Sequence, residues 1–498
     1  MTSESRRLAV GTGWTLLSTI VALCVGAILS PVIVRYVGIA GYGEWAAAIA
    51  VASLFGLAGD LGVAGALTKF TAERHGAHED VGSMPGSALV IGLACGGLAG
   101  GILLALSPIL GSGASYPEFS GLLRIQAVQM PPNLGIASIL GLYQGRRLFR
   151  ALAGFSIVQV AGSFGLAVIL LAAGFGIAGV MLASLATSGA IFAAAVAMNR
   201  RVLTFRGYRA FHADFAKLVP FGLQLTLTNA FSSALYQIDL VVLTFLLHDA
   251  EVIGLYALAT FVTRSLWIFP GSIGTTTYPV VSEYAAAANG SGRVSRYVST
   301  ALIASIAITG VLSSALVLFG RPAFALVFGS SAVSSFDLCL LMLCGTAFLG
   351  CLRSVASAIP SVGRPDVALR ISLVGAAVLL ALSVPLITEW AAAGAAIAVT
   401  ITFSAVAVLL LWSLHVYVIQ PHRVAFDVRR ASRTGLFASA LIGVSLASAL
   451  APGPTLEATL VAGVVLSVGT FALVEISGGR QAWLAVIGRR SGEAAERS

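Results

Sequence analysis

Charge is scarce in this sequence. Only 10% of its 498 residues are Asp, Glu, Lys or Arg, against about 25% in a soluble globular domain. Hydrophobic residues make up 58%, and the mean hydropathy is +0.96. A chain this apolar cannot bury its surface as a string of soluble domains, and it lacks the polar composition of a disordered or collagenous chain. Cysteine is nearly absent: Cys24, Cys95, Cys339, Cys344 and Cys351 all sit inside apolar runs, with no CxxC and no neighbouring His. That excludes a disulfide framework and a zinc ribbon. Lysine is scarcer still, and neither Lys69 nor Lys217 follows a glycine. The phosphate-cradling loop GxxxxGK[ST] therefore cannot form, which excludes a self-contained ATP-driven pump. No HExxH occurs among the six His, and no two Asp lie two residues apart. A zinc protease or a metal-dependent sugar transferase is not indicated. The longest segment between apolar runs, about 199–218, is too short for a catalytic domain. No enzyme activity, metal or cofactor is expected.

What is present is a succession of apolar runs, each near the 20 residues that cross a bilayer as a helix. Fourteen are expected, at about 9–34, 45–67, 85–110, 121–142, 151–173, 177–198, 219–247, 252–278, 299–319, 335–358, 368–387, 391–413, 435–451 and 456–474. Spans five and six are divided only by Gly174-Phe175-Gly176, and spans eleven and twelve only by Thr388-Glu389-Trp390. Arg6 and Arg7 precede an apolar stretch that is too long for a signal peptide, so the first span is read as retained. The fold class is thus an all-α polytopic membrane protein.

The net charge of +9 invites a nucleic-acid reading, but the placement of the basic residues opposes it. Of 29 Lys and Arg, 24 fall on the connections that share a side with the N-terminus, and only Arg35 and Arg321 fall on the other. This is the positive-inside pattern, and it places both termini in the cytoplasm of a protein of the cell membrane. Trp45, Trp390 and Trp412 lie at span ends, where an aromatic belt belongs.

An internal repeat runs through the chain. Gly43-Glu44-Trp45-Ala46 corresponds to Gly254-Leu255-Tyr256-Ala257, Gly145-Arg146-Arg147 to Gly363-Arg364-Pro365, and Gly179 to Gly394, at offsets of 211, 218 and 215 residues. The offset covers six spans, so the halves are parallel repeats about an axis along the membrane normal. The expected domains are an N-lobe at 1–218, a C-lobe at 219–434, two additional spans within 435–476 and a cytoplasmic tail at 477–498.

An ionised side chain at mid-membrane costs about 3 kcal/mol or more, so each one requires a polar cavity or a partner. Arg124 and Arg353 lie near span ends and either reach an interface or bind substrate. Asp60 and Asp239 lie about 10 and 12 Å inside their spans, and point to ion coupling, gating or a hydrogen-bonded structural acid. Arg264 is about 18 Å from one end of span eight and 21 Å from the other. There its guanidinium fork meets either a carboxylate or an anionic ligand. Trp267, one turn on, is placed to stack on a sugar or on the guanidinium. Span seven carries Thr226, Asn229, Ser233 and Gln237 beside Thr228, Ser232, Tyr236 and Asp239, a polar face suited to water, substrate or another helix. Pro131-Pro132, Pro270 and Pro279 mark kinks or unwound turns. Gly92, Gly96, Gly97, Gly100 and Gly101 have the spacing of close helix packing. His75 and His78 have a metal-like spacing but lie in a short charged loop, where solvation explains them.

With the spans placed, the chain resembles the multidrug/oligosaccharidyl-lipid/polysaccharide exporter superfamily, and within it the Wzx-like polysaccharide flippases. The resemblance rests on RYVGIAGYGEW (35–45), LAGDLGVAGALTKFTAE (57–73), LYQGRRLFRAL (142–152), QIDLVVLTFLLHDAEVIGLYALA (237–259), ALVFG (325–329), VGRPDVALR (362–370) and GAAIAVTI (394–401). It implies a V-shaped pair of six-helix lobes that flips a polyprenyl-diphosphate-linked oligosaccharide between leaflets by alternating access. Its partners would be that substrate, membrane lipids, and polysaccharide polymerases or glycosyltransferases, with no nucleic acid. Tyr256, Arg264, Pro270, Pro279 and Glu283 are also similar to the eighth span of lipid II flippases, which implies a cavity role for Arg264. The small number of intramembrane Arg departs from a strongly basic cavity. A drug/cation antiporter of the same superfamily is the competing reading, and it would rest on buried acids.

The topology is testable directly. A Cys introduced at Gly207 should resist an impermeant thiol reagent applied to intact cells and react after permeabilisation; efficient labelling from outside would overturn the assignment.

Overall fold

The computed structural model describes residues 3–419 except 78, 115, 117, 204–207 and 287–290, and beyond them only 433–435, 437, 438, 440 and 442. Expected spans thirteen and fourteen and the 477–498 tail lie almost wholly outside these. The described residues are helical, without strands, and divide into two compact units, 1–257 and 258–498. The first unit holds α1 (Ser3–Gly59), α2 (Val63–Gly76), α3 (Met84–Ala114), α4 (Phe119–Gly145), α5 (Phe149–Ala172), α6 (Gly176–Asn199), α7 (Tyr208–Ala234) and α8 (Ile238–Leu247). Helix α9 (Ala250–Ser265) straddles the boundary. The second unit continues with α10 (Ile268–Ala286), α11 (Ser291–Val327), α12 (Ser334–Ala356), α13 (Ala358–Ser361) and α14 (Pro365–Leu414).

Among the described residues, seven helices are long and apolar enough to cross a membrane, or eight if the bent α9–α10 pair counts as one span. Two of the apolar segments, Leu17–Leu57 and Asp366–Val418, have 41 and 53 residues. They would be about 60 and 80 Å long, twice the roughly 30 Å hydrocarbon thickness. Each therefore holds two spans, and each contains a non-helical joint: Gly38 (φ 80°) in α1, and Trp390-Ala391 (Ala391 φ 49°) in α14. The joint in α14 falls where the sequence divides spans eleven and twelve. Gly174 (φ 84°) and Gly176 (φ 56°) separate α5 from α6, as expected.

Three of the glycines in the expected repeat pairs are tightly packed, and a fourth, Gly254, meets one of them. Gly179 and Gly394 each open the second helix of a tight hairpin. A Cβ on Gly179 would lie 2.8 Å from Phe175 Cβ and 3.1 Å from Leu170 Cβ, and one on Gly394 would overlap the Leu386 carbonyl. Gly43 and Gly254, the first repeat pair, touch each other: a Cβ on Gly43 would sit 2.6 Å from Gly254 N, and one on Gly254 would overlap Ile39 O.

The glycine run in α3 packs on α4. Gly92 faces Leu134 and Ser138, Gly96 faces Met130 and Pro131, and Gly100 faces the Ala127 carbonyl, whereas Gly97 and Gly101 meet nothing within 4 Å. Ala127 is four residues before Pro131, so its carbonyl has lost its helical donor. Glycine lets the neighbouring backbone approach that carbonyl. The kink expected at Pro131-Pro132 does not interrupt α4.

Three apolar runs that read as continuous spans are broken. Span two divides at Asp60-Leu61-Gly62, with Gly62 at φ 65°. Span seven divides at Leu235-Tyr236-Gln237, between α7 and α8. Span eight divides at Leu266-Trp267, with a bend of 46°. Pro270 explains the last: it cannot donate to the Leu266 carbonyl, and its ring presses on that carbonyl.

Glycine packing gives a stability prediction. Gly394→Ala should destabilise by about 1–3 kcal/mol through overpacking and lower the melting temperature of the purified protein in detergent. Gly97→Ala, which faces open space, should be neutral or slightly stabilising. Equal melting temperatures for the two variants would contradict the hairpin geometry.

Candidate functional site

Four of the intramembrane charges, Asp60, Asp239, Arg264 and Arg353, lie at helix ends. Asp60 immediately precedes the N-terminus of α2, and Asp239 lies in the first turn of α8. Arg264 lies in the last turn of α9, and Arg353 in the last turn of α12. Asp239 thus meets a positive helix end and the two bases meet negative ones, whereas Asp60 sits between the C-terminus of α1 and the N-terminus of α2. Each matched end contributes about 0.3–1 kcal/mol, less than the 3 kcal/mol or more of placing a charge at mid-membrane. Further partners are required, and the structure supplies them.

In the first unit Asp60 Oδ1 accepts from the Gly62 N–H at 2.9 Å, satisfying a donor freed by the break. The carboxylate borders a cavity of about 10 Å³, lined also by Gly92, Cys95, Leu134, Ala137 and Ser138. That is room for about one water. Gly62 itself presses on the Gly222 carbonyl and on Thr226 of α7. Asp239 is 0% exposed, and its Oδ2 accepts from Tyr256 Oη at 2.6 Å. Tyr256 is a partner that position in the sequence alone did not assign.

The polar face of span seven does not run on as one helical stripe. Ser233 ends α7 and takes the Tyr236 N–H on its carbonyl; Gln237 precedes α8 and takes the Val241 N–H on its own. Asp239 thus lies on the far side of the break from Ser233. Both Ser233 and Gln237 are half-buried; the Asn229 side chain lies outside the described residues. Arg124 is exposed on α4, with Nε 3.4 Å from Ser107 Oγ.

The second unit brings three expected residues together. Trp267 is 8% exposed, and its Nε1 donates to the Thr346 carbonyl at 2.8 Å. Gly350 makes room for the indole: a Cβ there would lie 2.7 Å from Trp267 Cδ1. The Arg353 guanidinium lies 4.9 Å from the Trp267 ring centre, and that of Arg264 lies 5.9 Å from the Phe403 ring. The Trp267 and Phe403 rings are 5.6 Å apart. Two guanidiniums separated by 89 residues of sequence therefore share one aromatic pair. Trp267 serves here as the platform under Arg353, held by its own hydrogen bond. Phe403 carried no signal in the sequence, being one apolar residue in an apolar run. Cation–π contact of this kind contributes about 0.5–2 kcal/mol to each guanidinium.

No group of three or more His, Cys, Asp or Glu among the described residues is placed to hold a metal ion, and the five cysteines are free.

Residues 8–285 match the polysaccharide biosynthesis protein family. In fold, the chain is similar to the lipid II flippase MurJ in an inward closed conformation. The TM-score is 0.72 at 16% identity, over 94% of this chain and 98% of that one. It is also similar to an inward-facing multidrug resistance MATE family transporter of the MOP superfamily, with a TM-score of 0.64 at 16% identity over 82% and 99%. A third likeness, to the eukaryotic MATE transporter AtDTX14, has a TM-score of 0.56 at 14% identity over 88% and 100%. No protein with a curated description matches by sequence. The family match covers more than half of the chain, and the likenesses in fold span nearly all of it. The chain belongs to the polysaccharide biosynthesis protein family and has the fold of the multidrug/oligosaccharidyl-lipid/polysaccharide exporter superfamily.

Proposed function

We propose that this chain flips a polyprenyl-diphosphate-linked oligosaccharide from the cytoplasmic to the outer leaflet of the cell membrane by alternating access, supplying cell-surface glycan assembly. The observation that carries this reading is the pairing of Arg264 and Arg353 on the Trp267–Phe403 rings, at two helix ends inside the membrane. A diphosphate presents oxygens that a guanidinium fork matches. Arg264 and Arg353 bind the diphosphate, with Trp267 fixing Arg353. Arg124 meets the anion near the rim, and Asn229, Ser233 and Gln237 meet sugar hydroxyls. The lipid tail stays in hydrocarbon while the head group crosses through polar surroundings.

In this reading residues 1–218 and 219–434 are the moving lobes, both termini are cytoplasmic, and polymerases or glycosyltransferases act before and after transport. In the conformation described, α7 packs on α2 and α3, and α8 on α1. The transport cycle breaks these contacts in its other state. Energy comes from an ion gradient or the membrane potential, with Asp60 and Asp239 as the coupling or gating acids. A second reading, ion-coupled drug antiport, is favoured by one observation: Asp239 is a wholly buried carboxylate held by a tyrosine hydroxyl.

The test is translocation of a lipid-linked oligosaccharide by purified protein in proteoliposomes. Hydrogen bonds to charged groups are worth about 1.5–3 kcal/mol, so Arg264→Ala should slow translocation about 10- to 100-fold. Arg264→Lys should retain part of the activity with weaker substrate affinity. Rescue of Arg264→Ala by Asp60→Asn or Asp239→Asn would instead identify a fixed ion pair and remove the binding role.

Neutralising the acids separates coupling from packing. Asp60→Asn and Asp239→Asn should change the transport rate or its pH dependence while protein levels in the membrane stay unchanged. Wild-type rates at every pH would assign both residues to packing.

A further inference from the structure

The end of the first unit that carries few basic residues, the outer end by the charge bias, is closed by a seam of backbone. Gly43 lies against Ala250 and Gly254, and Gly254 lies against Ile39. The α8–α9 corner adds His248 Nδ1, 3.4 Å from the Ala114 carbonyl. No large side chain intervenes along the Gly43–Gly254 contact, so a change of a few tenths of an ångström is felt directly.

Acids flank this seam along the chain. Glu44 follows the contact glycine on α1, Glu118 precedes α4, and Asp249 and Glu251 begin α9. Asp249 Oδ1 is already the cap of α9, accepting from the N–H groups of Glu251 and Val252 at 2.9 and 3.2 Å. The other titratable or basic groups at this end are Arg35, Tyr36 and Tyr42 on α1, Tyr116 in the α3–α4 connection and His248 at the corner. Tyr116 is 7% exposed, and its hydroxyl is buried with no hydrogen-bond partner. A buried hydroxyl without a partner costs about 1–3 kcal/mol, so Tyr116 gains from any donor that reaches it.

A protonated carboxyl is such a donor. We propose that the seam is a proton-operated outer closure: protonation of Glu44 from the outer aqueous phase locks α1 against α9, and its ionisation loosens the contact. A neutral Glu44 carboxyl can donate its O–H to the Tyr116 oxygen, and it removes like-charge repulsion from Glu118 and Asp249. The electrostatics agree with this direction. Burial, and then the neighbouring Glu118, raise the Glu44 carboxyl above the ordinary range for glutamate. Burial, and then Asp249 and Glu44, raise the Tyr116 hydroxyl, so it stays a neutral phenol. For an acid whose value is raised in the closed form, closure is favoured below that value and is progressively lost as pH rises through it.

The consequence rests on the alternating-access reading for its role in transport: an outer phase more acidic than the cytoplasm would drive the carrier back to its outward-closed state after release. The test needs no substrate, so its failure is distinguishable from failure of the flippase reading. Hydrogen–deuterium exchange of the full chain in lipid nanodiscs, corrected for the intrinsic pH dependence of exchange, should show segments 39–46 and 250–256 becoming more protected as pH falls. The midpoint should lie above the ordinary glutamate value of about 4.3. Glu44→Gln should hold the protected form at every pH. Glu118→Gln should lower the midpoint by removing a like charge, and Tyr116→Phe should lower it by about one pH unit through loss of one hydrogen bond. Protection independent of pH in the wild type, a midpoint unmoved by Glu118→Gln and Tyr116→Phe, or an unchanged titration in Glu44→Gln would each overturn the proposal.

Discussion

A backbone that leaves its helix inside hydrocarbon must satisfy the hydrogen-bonding groups it exposes, and this chain meets that constraint with charge. Asp60 takes the Gly62 N–H released where span two breaks. Asp239 begins the helix that follows the break in span seven, and Arg264 ends the helix before the break in span eight. The breaks make the charges tolerable, and the charges make the breaks tolerable. Neither is sufficient alone, because a helix-end dipole is worth about 1 kcal/mol at most at ordinary sites and an isolated charge in the bilayer costs about three times that or more. Tyr256 below Asp239 and the Trp267–Phe403 rings below the two guanidiniums supply the difference.

Polar residues of this kind are found where a solute crosses, and the distribution here is uneven. The first unit holds Asp60 and Asp239 with hydroxyl and amide partners, while the second gathers Arg264 and Arg353 on aromatic faces. Acids suit protons or cations, and guanidiniums suit an anionic head group.

Much of the fold was legible in the sequence because bilayer crossing leaves a strong signal. The apolar runs, the breaks at 174–176 and 388–390, and the α3 glycines that pack on α4 all follow from run length, helix-breaking residues and spacing. The break at Asp60–Gly62 was not legible, since a left-handed Gly62 looks no different from a helical one, and that at Leu235–Gln237 was hidden because the polar residues around it have helical spacing. Pro270 did announce a distortion in span eight, although the break falls at the carbonyl it disturbs, four residues earlier. Among the candidate residues, charge within an apolar run singled out Asp60, Asp239, Arg264 and Arg353. The partners of Trp267 were hidden because Thr346 of α12 and Phe403 of α14 are ordinary residues, brought to it only by tertiary packing.

The central claim is that the paired guanidiniums recognise an anionic lipid-linked head group. It is tested most directly by equilibrium binding to the purified protein in nanodiscs, comparing a polyprenyl-diphosphate-linked oligosaccharide with the same lipid and sugar joined by a neutral linkage. The account predicts at least about tenfold tighter binding of the diphosphate, with the preference lost in Arg353→Ala. Equal affinity for the two lipids, or a preference that survives Arg353→Ala unchanged, would contradict it.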